Sequence, residues 1–211
     1  PSPHCERLNG LAGKNSESFT DRKKFMRGIS RVRRPWVAQE GSLKVPCHIR
    51  KAQIQRLSSE HDRTQFDCGE PALNLWLAQQ SLQQQQRRQS RTFVLVDIER
   101  PEIILAYYTL TISEVDGSSY PSRKSQPRRL PVIRLGRLAV AKALQKSGIG
   151  EFLLMNAIER ANEVSNNGGG VALAVDAKNE QAAAFYRRYD FTPAPDAPLL
   201  LFLPLGDHLA I

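Results

Sequence analysis

Past residue 47 the spacing of apolar positions changes several times, and each change marks an element. The string H-I-R-K-A-Q-I-Q-R-L, His48 to Leu57, alternates enough to predict a first strand, followed by a polar turn over Ser58–Arg63. Pro71 suits the first turn of a helix. Leu73, Trp76, Leu77 and Leu82 then give that helix one apolar face, and its far end, Gln83 to Arg91, is almost wholly Gln and Arg. Thr92–Asp97 and Ile103–Ile112 are rich in β-branched and aromatic residues and read as two strands joined through Glu99-Arg100-Pro101-Glu102. Residues 113–131, with Gly117 and three prolines, read as a long polar loop. Leu135, Leu138, Ala139 and Val140 predict a buried strand. From Glu151 the period is helical, with Leu153, Leu154, Ala157, Ile158 and Ala161 on one face, until Asn166-Asn167-Gly168-Gly169-Gly170 stops it. Val171–Val175, Asn179–Arg188 and Leu199–Leu203 complete the chain as strand, helix and strand. The order β-α-β-β-β-α-β-α-β predicts an α/β (α+β) domain, one mixed sheet with helices on its faces.

Residues 1–46 show no such periodicity. They hold ten Lys and Arg against four Asp and Glu, a net of +6 out of the +9 of the whole chain. They read as a disordered basic arm or leader ahead of a domain over 47–211, and they lack the continuous apolar segment of a secretory signal. No apolar run approaches a membrane span, so a soluble, cytoplasmic protein is expected. Cys5, Cys47 and Cys68 are odd in number and without C-x-x-C spacing, which argues against a disulfide framework or a zinc site; no metal is expected.

The candidate chemistry lies between the predicted strand ending at Val140 and the helix from Glu151, in Gln145-Lys146-Ser147-Gly148-Ile149-Gly150. The first amides of a helix have no partner within it, and the macrodipole favours negative charge there. Gly148 and Gly150 remove side chains that would keep a diphosphate away, Lys146 adds a positive charge, and Ser147 is placed to cap the helix or donate a hydroxyl. The string matches neither the Walker pattern nor G-x-G-x-x-G. Its Q-x-x-G-x-G after a strand resembles the acetyl-CoA pyrophosphate loop of GNAT-family N-acetyltransferases. Downstream, Asn179, Ala182, Phe185, Tyr186 and Phe191 resemble the second GNAT signature, N-x-x-A-x-x-F-Y-x-x-x-G-F, with Asp190 in place of the usual Gly. That position commonly takes positive φ, which Asp tolerates better than most residues, so a strained turn with intact chemistry is expected.

The strings F-D-C-G (66–69), L-N-L-W-L (73–77), A-Y-Y-T-L (106–110), L-G-R-L-A-V (135–140), V-D-A-K-N-E (175–180) and L-F-L-P-L (201–205) are similar to the GNAT toxins of bacterial toxin–antitoxin pairs. The resemblance covers roughly residues 48–205. It implies a GNAT fold, a single mixed sheet of six to seven strands with about four helices, in which the strand before the phosphate loop and the next strand splay apart around pantetheine. Leu138, Ala139 and Val140 would line that gap with backbone hydrogen bonds. Gln145, Lys146, Ser147, Gly148, Ile149 and Gly150 would hold the pyrophosphate, and Asn179 the pantetheine arm. Tyr186, seven residues on along the same helix face, would be the catalytic residue, since a phenol is protonated at neutral pH and can serve the departing thiolate.

No histidine or carboxylate falls where a general base would stand. Deprotonating a lysine at pH 7 costs roughly 4–5 kcal/mol, an α-amine only about 1 kcal/mol. The site therefore favours an α-amine, and the resemblance implies the same: a toxin that acetylates the α-amine of aminoacyl-tRNA and blocks translation. Arg137, Arg87 and Arg91 are candidates for tRNA phosphates, with further basic clusters at 123–129 and 187–188. A ribbon-helix-helix antitoxin and a homodimer are the partners the resemblance implies. The alternatives are a GNAT enzyme acting on a protein N-terminus, polyamine or small amine, and, more remotely, a non-enzymatic nucleic-acid-binding module.

Overall fold

The computed structural model describes residues 52–206 except Arg123; the basic arm, the first residues of the predicted opening strand and the tail after Gly206 lie outside the described residues. A single sheet of seven strands runs in the order β1-β2-β3-β4-β5-β7-β6, with β1 Ala52–Arg56, β2 Arg91–Asp97, β3 Arg100–Asp116, β4 Arg129–Val140, β5 Ala172–Asp176, β6 Thr192–Pro193 and β7 Leu200–Pro204. Every neighbouring pair is antiparallel except β4 and β5, which are parallel. Parallel neighbours need a crossover connection, and α3 (Ile149–Gly168) supplies it. Helices α1 (Pro71–Gln79) and α2 (Ser81–Gln86) cover one face of the sheet; α3 and α4 (Glu180–Arg187) cover the other.

Sequence patterning places these elements for physical reasons. On α3, Ile149, Leu153, Leu154, Ala157 and Ala161 are all buried, and they pack with Leu95, Tyr108, Leu135 and Leu173 of the sheet. Truncating a buried leucine of this kind costs about 2–5 kcal/mol. On the opposite face Trp76 and Leu77 of α1 meet Phe66, Val94, Ile104, Tyr107 and Ala139.

Four expectations need correction. The predicted loop 113–131 is strand at both ends: β3 and β4 pair without interruption from Ile112↔Ile133 to Asp116↔Arg129, which shortens the connection to 117–128. The β2–β3 turn is likewise shorter than Glu99–Glu102, since Asp97 pairs with Arg100. The first amphipathic helix is two, broken at Gln80, whose φ of −114° departs from the helical value, closing α1 and opening α2. Helix α3 begins at Ile149, two residues before Glu151.

Candidate active site

Strand β4 is out of phase with itself. Leu135 pairs with Leu110 and Arg137 with Thr109, so Gly136 is an extra residue, a β-bulge. Its parallel ladder to β5 covers only Ile133–Leu135 opposite Leu173–Val175. Beyond the bulge, residues 137–140 pair with β3 alone, while β5 continues to Asp176 against β7. The two strands thus part after Leu135 and Val175, the splay the sequence led one to expect. Leu138 and Val140 are half-buried on the α3 side of this gap, and Ala139 is buried against α1.

At the far end of β4 a short 3₁₀ turn, Lys142–Leu144, leads to the glycine loop. Lys146 (φ 63°) and Gly148 (φ 89°) are both left-handed, and Gly148 is the N-cap of α3 without any side-chain cap, so the first amides of that helix are left to a ligand. Ser147 does not cap the helix: its hydroxyl donates to the Leu144 carbonyl. Ile149 is buried, so only its backbone can face a phosphate. A Cβ on Gly150 would stand 3.9 Å from Val140 Cγ2, in ordinary contact with β4. Gln145 fixes the loop from below, its side-chain amide donating to the carbonyls of Cys68 (2.8 Å) and Val140 (3.1 Å). Uncapped amides, left-handed turns and a parted strand pair fit the diphosphate and arm of a coenzyme A thioester.

A feature the sequence did not disclose is the role of residues 67–70, which touch both sides of the gap. Asp67 accepts from Gly69 N and Asn74, and pairs with Lys142 at 3.0 Å; these hold its carboxyl down at about 2. The Lys142 amide donates to the Asp67 carbonyl. On the β5 side, Glu70 pairs with Lys178, the residue before Asn179. The partners are far apart in sequence, and no local pattern announces them.

Asn179 is exposed, and its side-chain oxygen caps α4 by accepting from the Ala182 amide at 2.9 Å. That leaves its Nδ2 donors for a ligand. Tyr186 is buried among Phe185, Phe191 and the cluster that Leu138 and Val140 pack against. Among the described residues its hydroxyl has no hydrogen-bond partner, and burial pushes the phenol up to about 12. Asp190, just past α4, has φ 64°, the left-handed turn expected at that position.

The proposed phosphate-guiding arginines scatter. Arg137 lies on the α1 face with its guanidinium 4.0 Å from the Trp76 ring centroid. Arg87 is exposed beyond α2, away from the gap. Arg91 donates to the carbonyls of Gln85 and Ser90, closing the end of α2; desolvation, then Arg56 and Arg88, lower its pKa. Of the remaining clusters, Arg129 pairs with Glu114 and Arg187 with Glu180.

Among the described residues His61 is buried and bonded to Ser58, so it offers no base, and no group of His, Cys, Asp and Glu is arranged to hold a metal ion. No helix there is long and apolar enough to cross a membrane.

Comparison with known proteins agrees with this geometry. The tRNA-acetylating toxin of Mycobacterium tuberculosis (strain ATCC 25618 / H37Rv) is 35% identical over 159 residues, 74% of this chain and 94% of that protein. Among solved structures, AtaT complexed with acetyl-methionyl-tRNAfMet superposes with a TM-score of 0.68 at 32% identity, covering 73% of this chain and 95% of that one. A tyrosine-to-phenylalanine mutant of the AtaT toxin, bound to the C-terminus of the antitoxin AtaR and acetyl-CoA, gives a TM-score of 0.62 at 31% identity over 72% of this chain and 92% of that one. Residues 55–191 match the Acetyltransferase (GNAT) family, and with the splayed strands, the uncapped glycine loop and the buried phenol all in place, the chain belongs to that family.

Proposed function

We propose that this enzyme transfers an acetyl group from acetyl-CoA to the α-amine of an aminoacyl-tRNA, and that it acts as a translation-blocking toxin. The observation that carries the reading is Tyr186: a buried phenol with an unpartnered hydroxyl, packed with the half-buried residues of β4. At this site the described residues offer no histidine, and the carboxylates of Asp67 and Glu70 are held by Lys142 and Lys178. An enzyme so equipped needs an acceptor that gives up its proton cheaply, and an α-amine does so for about 1 kcal/mol at pH 7. The similar toxin of Mycobacterium tuberculosis is tRNA-acetylating, and AtaT is seen complexed with acetyl-methionyl-tRNAfMet, which supports the same acceptor.

Acetyl-CoA supplies an activated acyl carbon and a thiolate leaving group. The backbone of Leu138, Ala139 and Val140 would orient the pantetheine arm along β4, with Asn179 Nδ2 donating to it from the other wall. The amides after Gly148, with Lys146, would hold the diphosphate, while Gln145 keeps the loop in shape. Tyr186 would donate its hydroxyl to the sulfur as the C–S bond breaks and the C–N bond forms. Since a phenol near 12 is a weaker acid than an ordinary thiol near 8.5, Tyr186 acts chiefly by hydrogen-bonding the thiolate. The proton released by the amine ends on the sulfur.

As a toxin it would be held in check by a ribbon-helix-helix antitoxin and would work as a cytoplasmic homodimer. AtaT, a similar toxin, binds its antitoxin AtaR. Arg87 remains open for acceptor-stem phosphates, whereas Arg91 contributes through the positive potential it shares with Arg56 and Arg88.

The test is inducible expression of wild type and Tyr186→Phe, followed by transfer of labelled acetyl to charged tRNA by the purified proteins. Growth arrest and labelled aminoacyl-tRNA with the wild type alone are expected. Normal growth with abundant folded wild-type protein would remove the toxin reading.

A further inference from the structure

Arg137 is the arginine of β4 that follows the bulge at the mouth of the gap and lacks an anionic partner among the described residues. Arg134, three residues earlier, is paired with Asp176. Arg137 has neither a hydrogen bond nor an ion pair among the described residues, yet it is half-buried, and desolvation weakens its hold on its charge. A guanidinium removed from water without a partner is costly. It is also seated on a ring: its guanidinium carbon stands 4.0 Å from the Trp76 centroid, and Trp76 is itself stacked on Tyr107. Its strand partner Thr109 is buried and bonded to Thr92, so the backbone beneath it is fixed. A planar, preorganised fork with free donors is built for a bidentate anion.

The position says which molecule brings the anion. Arg137 follows the bulge at Gly136 and precedes Leu138, so it sits at the start of the gap, on the α1 side. The anionic groups of acetyl-CoA belong at the other end of β4, beyond Gln145, on the uncapped start of α3. Tyr186 lies on the α3–α4 side. The acceptor therefore has the α1 side to itself, and Arg137 meets it there. A polyamine would be repelled, and an uncharged small amine would leave the guanidinium unmatched. In an aminoacyl-tRNA the first anion beyond the reacting amine is the phosphodiester on the 5′ side of the terminal ribose.

Resting on the aminoacyl-tRNA reading above, we infer that Arg137 binds the phosphodiester joining the last two nucleotides of the acceptor. It thereby sets an aminoacylated dinucleotide as the smallest good substrate. Arg87 and Arg91 play no part in this contact.

The test compares two acceptors carrying the aminoacyl group that is acetylated fastest on tRNA: a 3′-aminoacyl-CpA, which has that phosphodiester, and a 3′-aminoacyl-adenosine, which does not. Loss of a charge-assisted contact corresponds to about 10- to 100-fold in kcat/KM. The wild type should prefer the dinucleotide by that factor. Arg137→Met, which keeps the packing on Trp76, should acetylate both equally well, with Arg137→Lys partly restoring the preference. Acetyl-CoA affinity by calorimetry and Tm should stay near wild type in both variants. A preference that persists in Arg137→Met, or an equal fall on both acceptors, overturns the assignment while leaving the acceptor class standing. A wild-type enzyme that acetylates aminoacyl-tRNA but shows no preference between the two small acceptors also overturns it. Failure of the wild type on charged tRNA itself overturns the acceptor reading, and Arg137's role with it.

Discussion

Gln145 donates its side-chain amide to the carbonyl of Cys68, 77 residues earlier in the chain, at 2.8 Å. One bond thus ties the phosphate loop to the loop that opens α1, and a second, to Val140, ties it to β4. Gln145→Ala removes both. At about 1 kcal/mol for each hydrogen bond, acetyl-CoA should bind roughly 5- to 30-fold more weakly, with kcat less affected than KM. Calorimetry with coenzyme A and steady-state kinetics check this, and unchanged affinity would show that the loop holds its form without the glutamine.

Tyr186→Phe deletes a hydroxyl that has no protein partner, so folding should be unharmed and coenzyme A affinity retained. The rate should fall by about 10²- to 10³-fold, the range for a lost hydrogen bond to developing negative charge. Because burial raises the phenol to about 12, the wild-type rate should climb through the acceptor amine's pKa near 8 and then stay level to about pH 10. A descending limb below pH 9 would mean that a different acid serves the thiolate. The stability consequence has the same sign. A phenol whose folded pKa exceeds its unfolded value near 10 contributes fully below pH 10, and that contribution drains away as pH rises towards 12. Tyr107 and Tyr189, also raised chiefly by desolvation, steepen the alkaline loss, which urea titrations from pH 8 to 11 would reveal.

Asp190, exposed at φ 64°, is a left-handed residue that is not glycine. Asp190→Gly relieves the strain but frees the unfolded chain, so a gain of about 0.5–1 kcal/mol is expected, seen as a rise of about 1–4 °C in Tm. Asp190→Val should move Tm the other way.

Gly117 closes the long β3–β4 hairpin so tightly that a Cβ would fall 2.0 Å from the Pro127 carbonyl oxygen. Gly117→Ala should cost about 1–3 kcal/mol by forcing that backbone apart. Because the hairpin tip is remote from Tyr186 along the strands, kcat should be kept at temperatures where the variant is folded; thermal melts beside activity assays decide.

Where residues interact with near neighbours in sequence, the chain could be read directly. The glycine loop, the helix starting at Asn179, and the left-handed turn at Asp190 depend on contacts within a few residues. The extended hairpin was hidden because Pro131 and the run Ser113-Glu114 look like loop, although their alternation with Val115, Leu130 and Val132 buries one face. Strand β6 has only Thr192 and Pro193, too few to show a period. The break at Gln80 falls inside a sequence with no glycine or proline to mark it. The links that assemble the site, Gln145 with Cys68, Lys142 with Asp67 and Glu70 with Lys178, join segments from opposite ends of the domain. Arg187 and Arg129 looked available for phosphates because their carboxylate partners were out of view.

The doubled residue at Gly136 also sets the parity of everything after it. Leu135 and Leu138, an odd number of steps apart, look the same way, and Arg137 is turned to the opposite side. Were that glycine seated in the ladder opposite Thr109 as an ordinary residue, the two surfaces of the strand beyond it would be exchanged: the guanidinium would be driven under α3 and the leucine turned towards Trp76. Which side of the sheet presents Arg137 is thus decided by a residue that has no side chain of its own.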